Sequence, residues 1–262
     1  SKLNLNNLYT TYRNRPMLAD VVIMRIGLIF LLIGTHAFAP YSGSWDVLPN
    51  MGNGVFYKYI SPFTHFISMP ALIFISGYLF GHSWHRTRHQ TFREFIIKKL
   101  KRLIIPSIIF SAFYYFLFYD TTRSFSQIGY SIINGCGHLW FLPMLFWCFF
   151  FTFLLHKFNI THRTVISILI IVSILPIPTL PFRLSSTCSY LIYFYVGSIL
   201  QIREGINLRC SVLWLIGLTM IYFILQFIYP EISLTSKPSI FGKAIYLLAI
   251  NSTKLILGFT GI

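Results

Sequence analysis

The chain has 262 residues, of which 55% are hydrophobic and only 10% are charged. With a mean hydropathy of +0.68, so much apolar surface does not fit inside a soluble core of this size, and the composition predicts an integral membrane protein. A net charge of +15 would suggest nucleic-acid binding in a soluble chain. Here the basic residues lie between apolar segments, so membrane topology and an anionic ligand explain the charge, and we expect no nucleic-acid partner.

Apolar runs long enough to cross a bilayer recur along the whole chain. We therefore predict an all-α fold, a polytopic transmembrane helical bundle of about eight spans, forming a single domain over residues 1–262. The predicted spans are Val21–Ala39, Phe63–Phe80, Leu103–Tyr119, Leu139–Leu155, Thr164–Leu180, Thr187–Gln201, Ser211–Tyr229 and Ile240–Phe259.

The first span contains two ionisable residues, Arg25 and His36. Ionisable groups in hydrocarbon are costly and face a wet or protein-lined interior. Eleven residues at about 100° each place the two side chains within about 20° of each other round the helix and about 16 Å apart along it. We predict that they share one stripe, which forms a wall of a polar passage. The alternatives are that His36 only hydrogen-bonds a neighbouring helix and that Arg25 reaches the membrane interface.

The second span ends in Ser76-Gly77-Tyr78, where the glycine permits close approach of another helix. A basic loop from Gly81 to Arg102 follows, and the positive-inside rule predicts that it is cytoplasmic. Because successive spans alternate in direction, we expect both ends of this chain to be cytoplasmic. The basic residues of the loop are Arg86, Arg88, Arg93, Lys98, Lys99, Lys101 and Arg102.

Lys99 and Arg102 lie three residues apart, just before the third span with Pro106 in its first turn. Residues at this spacing are neighbours on a helix surface. Two such cations at the mouth of the bundle are suited to binding phosphate groups. The alternative is that the basic loop only sets topology or contacts anionic lipid.

Three histidines in the basic loop, His82, His85 and His89, have a spacing that would suit a metal on one helix face. No carboxylate or cysteine completes the set, so we predict no metal site and assign these histidines no role.

Carboxylates are scarce, since Asp and Glu number six in total. Asp20, the acid nearest the first span, lies about 140° round the helix from Arg25, which is poor geometry for a pair. Paired-carboxylate chemistry is therefore not expected, and histidine is the remaining base. A neutral imidazole can take a proton from a hydroxyl and return one to a leaving thiolate, as acyl transfer requires.

Four motifs occur in order within about residues 20–145. They are Arg25-x10-His36 preceded by Asp20, Phe74-Ile75-Ser76-Gly77-Tyr78, Lys98-Lys99-Leu100-Lys101-Arg102-Leu103-Ile104-Ile105-Pro106, and His138-Leu139-Trp140-Phe141-Leu142. Together they resemble the signatures of the acyltransferase-3 family of inner-membrane O-acyltransferases. Two departures stand out. Lys99 occupies the place of the family's first arginine, and the family's core commonly has ten spans, so we expect this chain to be incomplete at its C-terminus.

The resemblance implies transfer of an acyl group, usually acetyl, from cytoplasmic acyl-CoA to a hydroxyl of a lipid-linked or surface glycan in the bacterial inner membrane. Acyl-CoA would be a co-substrate, with no permanently bound cofactor, and lipids would surround the bundle. In this interpretation Lys99 and Arg102 bind the phosphates of the donor. Arg25 guides the donor inward and assists catalysis, and His36 is the general base. The candidates for the substrate pocket are Ser76, His138 and Trp140.

Two other functions remain open at this stage. A transporter or flippase also needs a polar stripe inside a bundle, and it would move a glycan or lipid-linked substrate without acyl chemistry. A non-catalytic bundle whose bases bind anionic lipid would tolerate Arg25→Lys and His36→Gln.

Overall fold

A computed structural model describes residues 16–38, 41, 55–119, 124–202, 217, 220–221, 224 and 240–260 of the chain. This part is helical and contains no strand, which confirms the all-α prediction. The α-helices are α1 (Pro16–Ala37), α2 (Val55–His82), α3 (Trp84–Thr87), α4 (Phe92–Lys99), α5 (Ile105–Phe118), α6 (Phe125–Asn134), α7 (Phe141–Lys157), α8 (His162–Ile174), α9 (Leu184–Ile202) and α10 (Ile240–Thr260). Leu100–Ile104 is a π-helix, and Gly137–Trp140 and Pro181–Arg183 are 3-10 helices.

Two helical stretches among the described residues, Phe92–Phe118 and Gly137–Lys157, are long and apolar enough to cross a bilayer. The shorter apolar helices are Val21–Ala37, Ile67–His82, His162–Ile174 and Leu247–Phe259. The count of about eight spans therefore stays a prediction. Most of the seventh predicted span, Ser211–Tyr229, lies outside the described residues.

The predicted basic loop, Gly81–Arg102, is largely helical instead. A capping box starts α4, because the Thr91 hydroxyl accepts from the Glu94 amide at 3.3 Å and the Glu94 carboxylate accepts from the Thr91 amide at 3.2 Å. Two amide donors of the first turn are thereby satisfied. The helix then continues through Leu100–Ile104 into α5, so the basic residues lie on a rigid support.

Three glycines let α2 and α9 pack backbone to backbone. A Cβ atom at Gly77 would overlap the backbone of Phe194, and one at Gly81 would overlap the backbone of Ser198. On the other helix, a Cβ at Gly197 would overlap the carbonyl of Phe74. Small residues at a helix contact are how membrane helices gain close packing. The close approach predicted at Gly77 is confirmed.

Gly77→Ala is expected to destabilise the bundle, because α2 and α9 must move apart to admit the methyl group. Overpacking of this kind costs about 1–3 kcal/mol. The melting temperature of the purified protein in detergent measures the effect. Gly129→Ala is the matched control, since a Cβ there meets nothing within 4 Å and alanine favours a helix. Equal melting temperatures for Gly77→Ala and the wild type would contradict the packing described.

The core lies between α2, α7 and α9, and it is strongly aromatic. The Phe95 ring stacks on Phe153 at 4.3 Å between centroids, which attaches α4 to α7. In contrast, apolar side chains on the outer faces are exposed, with Phe30 of α1 at 70% and Leu117 of α5 at 73%. Continuous exposed apolar surface of this kind fits a lipid environment.

The bundle has two ends with polar clusters, separated along α2. The basic end comprises the last turn of α2 together with α3, α4 and Leu100–Ile104. The histidine end comprises the last turn of α1, the segment of α2 around His65, and Gly137–Trp140. Fifteen residues of α2 separate His65 from Phe80, which corresponds to about 22 Å.

Candidate functional site

Histidines from three separate elements lie together at the histidine end. The ring centroids of His36 and His138 are 5.8 Å apart. His65 contacts Trp140, with 6.1 Å between ring centroids. His36 is half-buried and His138 is exposed. The structure thus places His138, a predicted pocket residue, next to the predicted base His36, and Trp140, another predicted pocket residue, next to His65.

A hydrogen bond between neighbouring threonines brings α1 and α2 into register at this point. The Thr35 hydroxyl donates to the Leu31 carbonyl at 2.9 Å, and it lies 2.9 Å from the Thr64 hydroxyl. Either hydroxyl can be the donor of this second bond. Thr35 is buried, so the pair is protected. His36 and His65, the next residues along, are held at the same level of the bundle.

Arg25 lies on the same side of α1 as His36. The half-buried positions of α1 include 21, 28, 32 and 36, and Arg25 is in helical register with them although its own side chain is exposed. Counting back from the contact between Thr35 and Thr64 places Arg25 roughly level with Ser76 of α2. The Ser76 hydroxyl donates to the Leu72 carbonyl at 2.9 Å. Arg25 and Ser76 therefore lie between the two ends, and neither is part of the histidine cluster.

The loop that carries His138 depends on two glycines in the left-handed region. Gly135 has φ +78 and Gly137 has φ +52. A Cβ at Gly137 would also lie 2.9 Å from Cε1 of Tyr114. The Tyr114 ring packs edge-on against His138 at 5.6 Å. Glycine at both positions therefore allows Tyr114 of α5 to pack against the His138 ring.

Arg183 holds the same loop from the other side. Its Nε donates to the Asn134 carbonyl at 2.8 Å and its Nη2 donates to the Gly135 carbonyl at 3.3 Å. Its backbone amide donates to the Asn134 side-chain oxygen at 3.3 Å. Charged hydrogen bonds to carbonyls are among the stronger ones. Arg183 is therefore a positioning residue for His138 and Trp140.

Cys136 lies in this loop but is not suited to be a nucleophile. Its amide donates to the Ser111 hydroxyl at 3.2 Å. Burial raises the pKa of the Cys136 thiol, an effect that the nearby Arg183 opposes only in part. The neutral thiol is a weak nucleophile, so Cys136 is not suited to covalent catalysis.

A pocket of about 320 Å³ lies at the basic end, and we call it the basic pocket. Its lining includes four cations, Arg86, Lys98, Lys99 and Arg102. No acidic residue is among the described residues that line it. Ser83, Thr87 and Gln90 add polar groups. The structure brings Lys99 and Arg102 together as predicted, and the cluster is suited to a ligand with several negative charges.

Lys99 reaches inward from the basic pocket. Its Nζ lies 3.3 Å from the centroid of the Phe149 ring and 5.6 Å from that of Phe95. An ammonium group over an aromatic face is stabilised by the charge distribution of the ring. Lys99 is half-buried, whereas Lys98 and Arg102 are exposed, so its amino group lies deeper in the bundle than theirs.

A π-helix at Leu100–Ile104 sets the direction of these cations. Pro106 has no amide proton, and its ring would crowd the carbonyl four residues earlier, that of Arg102. The wider turn before it relieves this crowding, and the Ile105 amide donates to the Leu100 carbonyl, five residues back. Such bulges are frequent at functional sites. Here the bulge lies directly beside the basic pocket, and Arg102 belongs to it.

Sequence reasoning missed several residues of both ends. His65 lies in a predicted span, and a lone imidazole in such a span was itself a signal. Arg86 and Lys98 were visible only as members of a basic loop. Tyr114 and Arg183 had no signal, because a tyrosine on an apolar helix and an arginine in a connection are common.

Within the described ranges, no three side chains of His, Cys, Asp or Glu are placed to hold a metal ion. His82, His85 and His89 belong to α2, α3 and the turn that follows, so they do not share one helix face.

Comparison with known proteins gives one match. The sequence profile of the acyltransferase-3 family, described as an acyltransferase domain, matches residues 19–252. No curated protein and no solved structure matches the chain. The matched range contains the histidine cluster and the basic pocket, and the family together with the apolar helices indicates an integral membrane protein. The chain belongs to the acyltransferase-3 family and is an acyltransferase.

Proposed function

We propose that the chain is a membrane O-acyltransferase that moves an acyl group, acetyl in the simplest case, from cytoplasmic acyl-CoA to a hydroxyl of a cell-surface or lipid-linked glycan. Acyl-CoA acts as a co-substrate, and no cofactor stays bound. The observation that carries the proposal is the arrangement along α2. A pocket lined by cations lies at one end and an accessible imidazole cluster lies about 22 Å away at the other.

The basic pocket binds the phosphates of the donor in this proposal. Arg102 offers a planar guanidinium that can pair two phosphate oxygens, and Lys99 supplies a point charge deeper in the bundle. Arg25, between the two ends, guides the acyl-bearing arm toward the histidines. Ser76 lies at the same level and can line the path.

The chemical step takes place at the histidine end. His36 takes the proton of the acceptor hydroxyl as its oxygen attacks the thioester carbonyl. The new C–O bond forms, the C–S bond breaks, and the leaving thiolate takes a proton from the imidazolium. General base catalysis of this kind contributes about 10²- to 10⁴-fold to a rate. His138 and Trp140 border the position of the acceptor, and their ring contacts keep the cluster ordered.

The basic charge also supports an orientation. Positive charge accumulates on the cytoplasmic side of membrane proteins, so the basic end faces the cytoplasm, where acyl-CoA is made available. We propose a bacterial inner-membrane location with both ends of this chain in the cytoplasm and lipid around the bundle.

The test is transfer of label by the purified protein in lipid vesicles. Acetyl-CoA labelled in the acetyl group is supplied with a glycan acceptor, and the glycan is analysed by mass spectrometry. An alkali-labile acetyl ester on the glycan is expected. Movement of unchanged glycan across the vesicle membrane would favour a flippase. If neither acetyl transfer nor glycan movement is observed, the result would favour a non-catalytic bundle that binds lipid.

Arg183→Ala is expected to lower the transfer rate by roughly tenfold, since about 1.4 kcal/mol of lost positioning corresponds to that factor. The loss arises because Asn134 and Gly135 are no longer held, and His138 and Trp140 move with them. Arg163→Ala, an exposed arginine at the start of α8, serves as the control. Arg183→Lys should recover part of the rate without recovering both carbonyl contacts. An Arg183→Ala protein with the wild-type rate would rule out the positioning role.

A further inference from the structure

A second pocket, of about 430 Å³, lies between the end of α8, the first half of α9 and the second half of α10. We call it the serine-tyrosine pocket. Its polar lining includes Ser185, Ser186, Ser189, Tyr190, Asn251 and Lys254. None of these residues lines the basic pocket or belongs to the histidine cluster.

The serine-tyrosine pocket opens at the histidine end. The start of α8 packs near the basic end, where His162 hydrogen-bonds Tyr195 of α9 at 2.9 Å. From there α8 runs toward the histidine end. The Tyr190 ring lies 6.0 Å from Trp140, whose ring lies 6.1 Å from His65. Tyr190 therefore borders both the pocket and Trp140, so a ligand in the pocket lies next to the histidine end.

Two side chains attach α10 to its neighbours, so its position in the pocket wall is defined. The Asn251 amide donates to the Ile174 carbonyl at 3.1 Å, at the last turn of α8. The Tyr193 hydroxyl donates to the carbonyls of Leu255 at 3.0 Å and Lys254 at 3.3 Å. These contacts place the Lys254 side chain, three residues after Asn251, on the pocket wall.

The lining has the chemistry of a carbohydrate site. Serine hydroxyls and a carboxamide both donate and accept hydrogen bonds, as sugar hydroxyls require, and tyrosine rings offer flat apolar faces. Among the described residues that line the pocket, Lys254 is the one basic residue, and none is acidic. An ionisable residue inside a membrane bundle is costly and marks a functional site.

On this basis we propose that the serine-tyrosine pocket binds the acceptor, and that this acceptor is a carbohydrate with a negatively charged group that Lys254 contacts. The inference rests on the proposed function and gives its acceptor a chemical class. The charge comes either from the carboxylate of an acidic sugar or from the phosphate of a lipid-linked sugar, and both offer oxygens to an ammonium group.

The experiment measures direct binding to the purified protein in lipid nanodiscs. The three fluorescent probes are a neutral oligosaccharide, a uronic-acid oligosaccharide of the same length, and a polyprenyl phosphosugar. The variants are Lys254→Met, Lys254→Arg and, as the matched control, Lys157→Met, an exposed lysine at the end of α7. Acetyl transfer to each acceptor is measured in parallel.

The wild type is expected to bind one of the anionic probes at least tenfold more tightly than the neutral one, and the tighter probe identifies the source of the charge. Lys254→Met should abolish that preference while binding the neutral probe as before. Lys254→Arg and Lys157→Met should keep it. The proposal is overturned if the wild type has no anionic preference, if Lys254→Met retains it, or if Lys254→Met loses neutral and anionic binding equally.

The two proposals can fail separately. Anionic binding that depends on Lys254, with no acetyl transfer to any acceptor, supports the site and contradicts the O-acyltransferase function. Acetyl transfer without an anionic preference supports the function and overturns the site.

Discussion

His36→Ala is expected to lower the rate of acyl transfer by about 10²- to 10⁴-fold, the usual contribution of a general base. The reason is local, because the acceptor hydroxyl then loses the imidazole that takes its proton in the proposed mechanism. His36 is half-buried and packs against His138, so the ring also has a defined orientation. The measurement is the initial rate with saturating acetyl-CoA and acceptor. The KM for acetyl-CoA should stay unchanged, since His36 lies at the far end from the basic pocket.

His85→Ala is the control for this substitution. It removes an exposed histidine on α3, near the basic end, and should leave the rate as it is. Melting temperature and membrane insertion of His36→Ala should match the wild type, which separates loss of chemistry from loss of fold. His36→Gln tests the lipid-binding alternative, because glutamine keeps hydrogen bonding but is not a base at neutral pH. A His36→Ala or His36→Gln protein that acylates glycan at the wild-type rate would falsify the base assignment.

The second large effect concerns the donor. The double variant Lys99→Ala/Arg102→Ala is expected to raise the KM for acetyl-CoA by roughly 10- to 100-fold, with kcat at saturating donor largely retained. Each charged hydrogen bond contributes about 1.5–3 kcal/mol, of which neighbouring cations recover part. Arg86 and Lys98 remain in the same pocket, so binding should be weakened and not lost.

Lys101→Ala provides the matched control, because Lys101 belongs to the same π-helix and is exposed but does not line the basic pocket. A donor without phosphates, acetyl-pantetheine, sharpens the test. If Lys99 and Arg102 contact phosphate, the double variant and the wild type should use acetyl-pantetheine equally well, which is the logic of a double-mutant cycle. An equal loss of activity with both donors would mean that the double variant disturbs the helix that carries these residues and does not act through phosphate binding.

The basic pocket also shows where sequence reasoning stops. Lys99 and Arg102 could be paired from spacing alone, since residues three apart are neighbours on a helix. Arg86 lies thirteen residues before Lys99 in the chain, and its place in the same pocket depends on how α3 folds back against α4. The charges of the basic loop hide any apolar period, so its helices do not follow from hydrophobic pattern, although Thr91 and Glu94 have the spacing of a capping box.

At the histidine end, too, one part of the site is predictable from the sequence and another part depends on helix packing. The first-helix stripe was predictable, because one helix with a fixed rotation per residue relates Arg25 to His36. The positions of His65 and His138 beside His36 depend on contacts between separate helices, which leave no periodic trace in the chain. Their roles stay predictions until the variants are measured.

By itself the sequence determined that the chain is helical, rich in apolar segments and a member of an acyltransferase family, because hydrophobicity, segment length and short motifs are local properties. Only the tertiary structure decided which side chains share a space. It places the imidazoles together at one end, adds Arg86 and Lys98 to the pocket of Lys99 and Arg102, and forms a further pocket beside Lys254. The physical reason is that close helix packing, as at Gly77 against Phe194, sets distances between residues far apart in the chain.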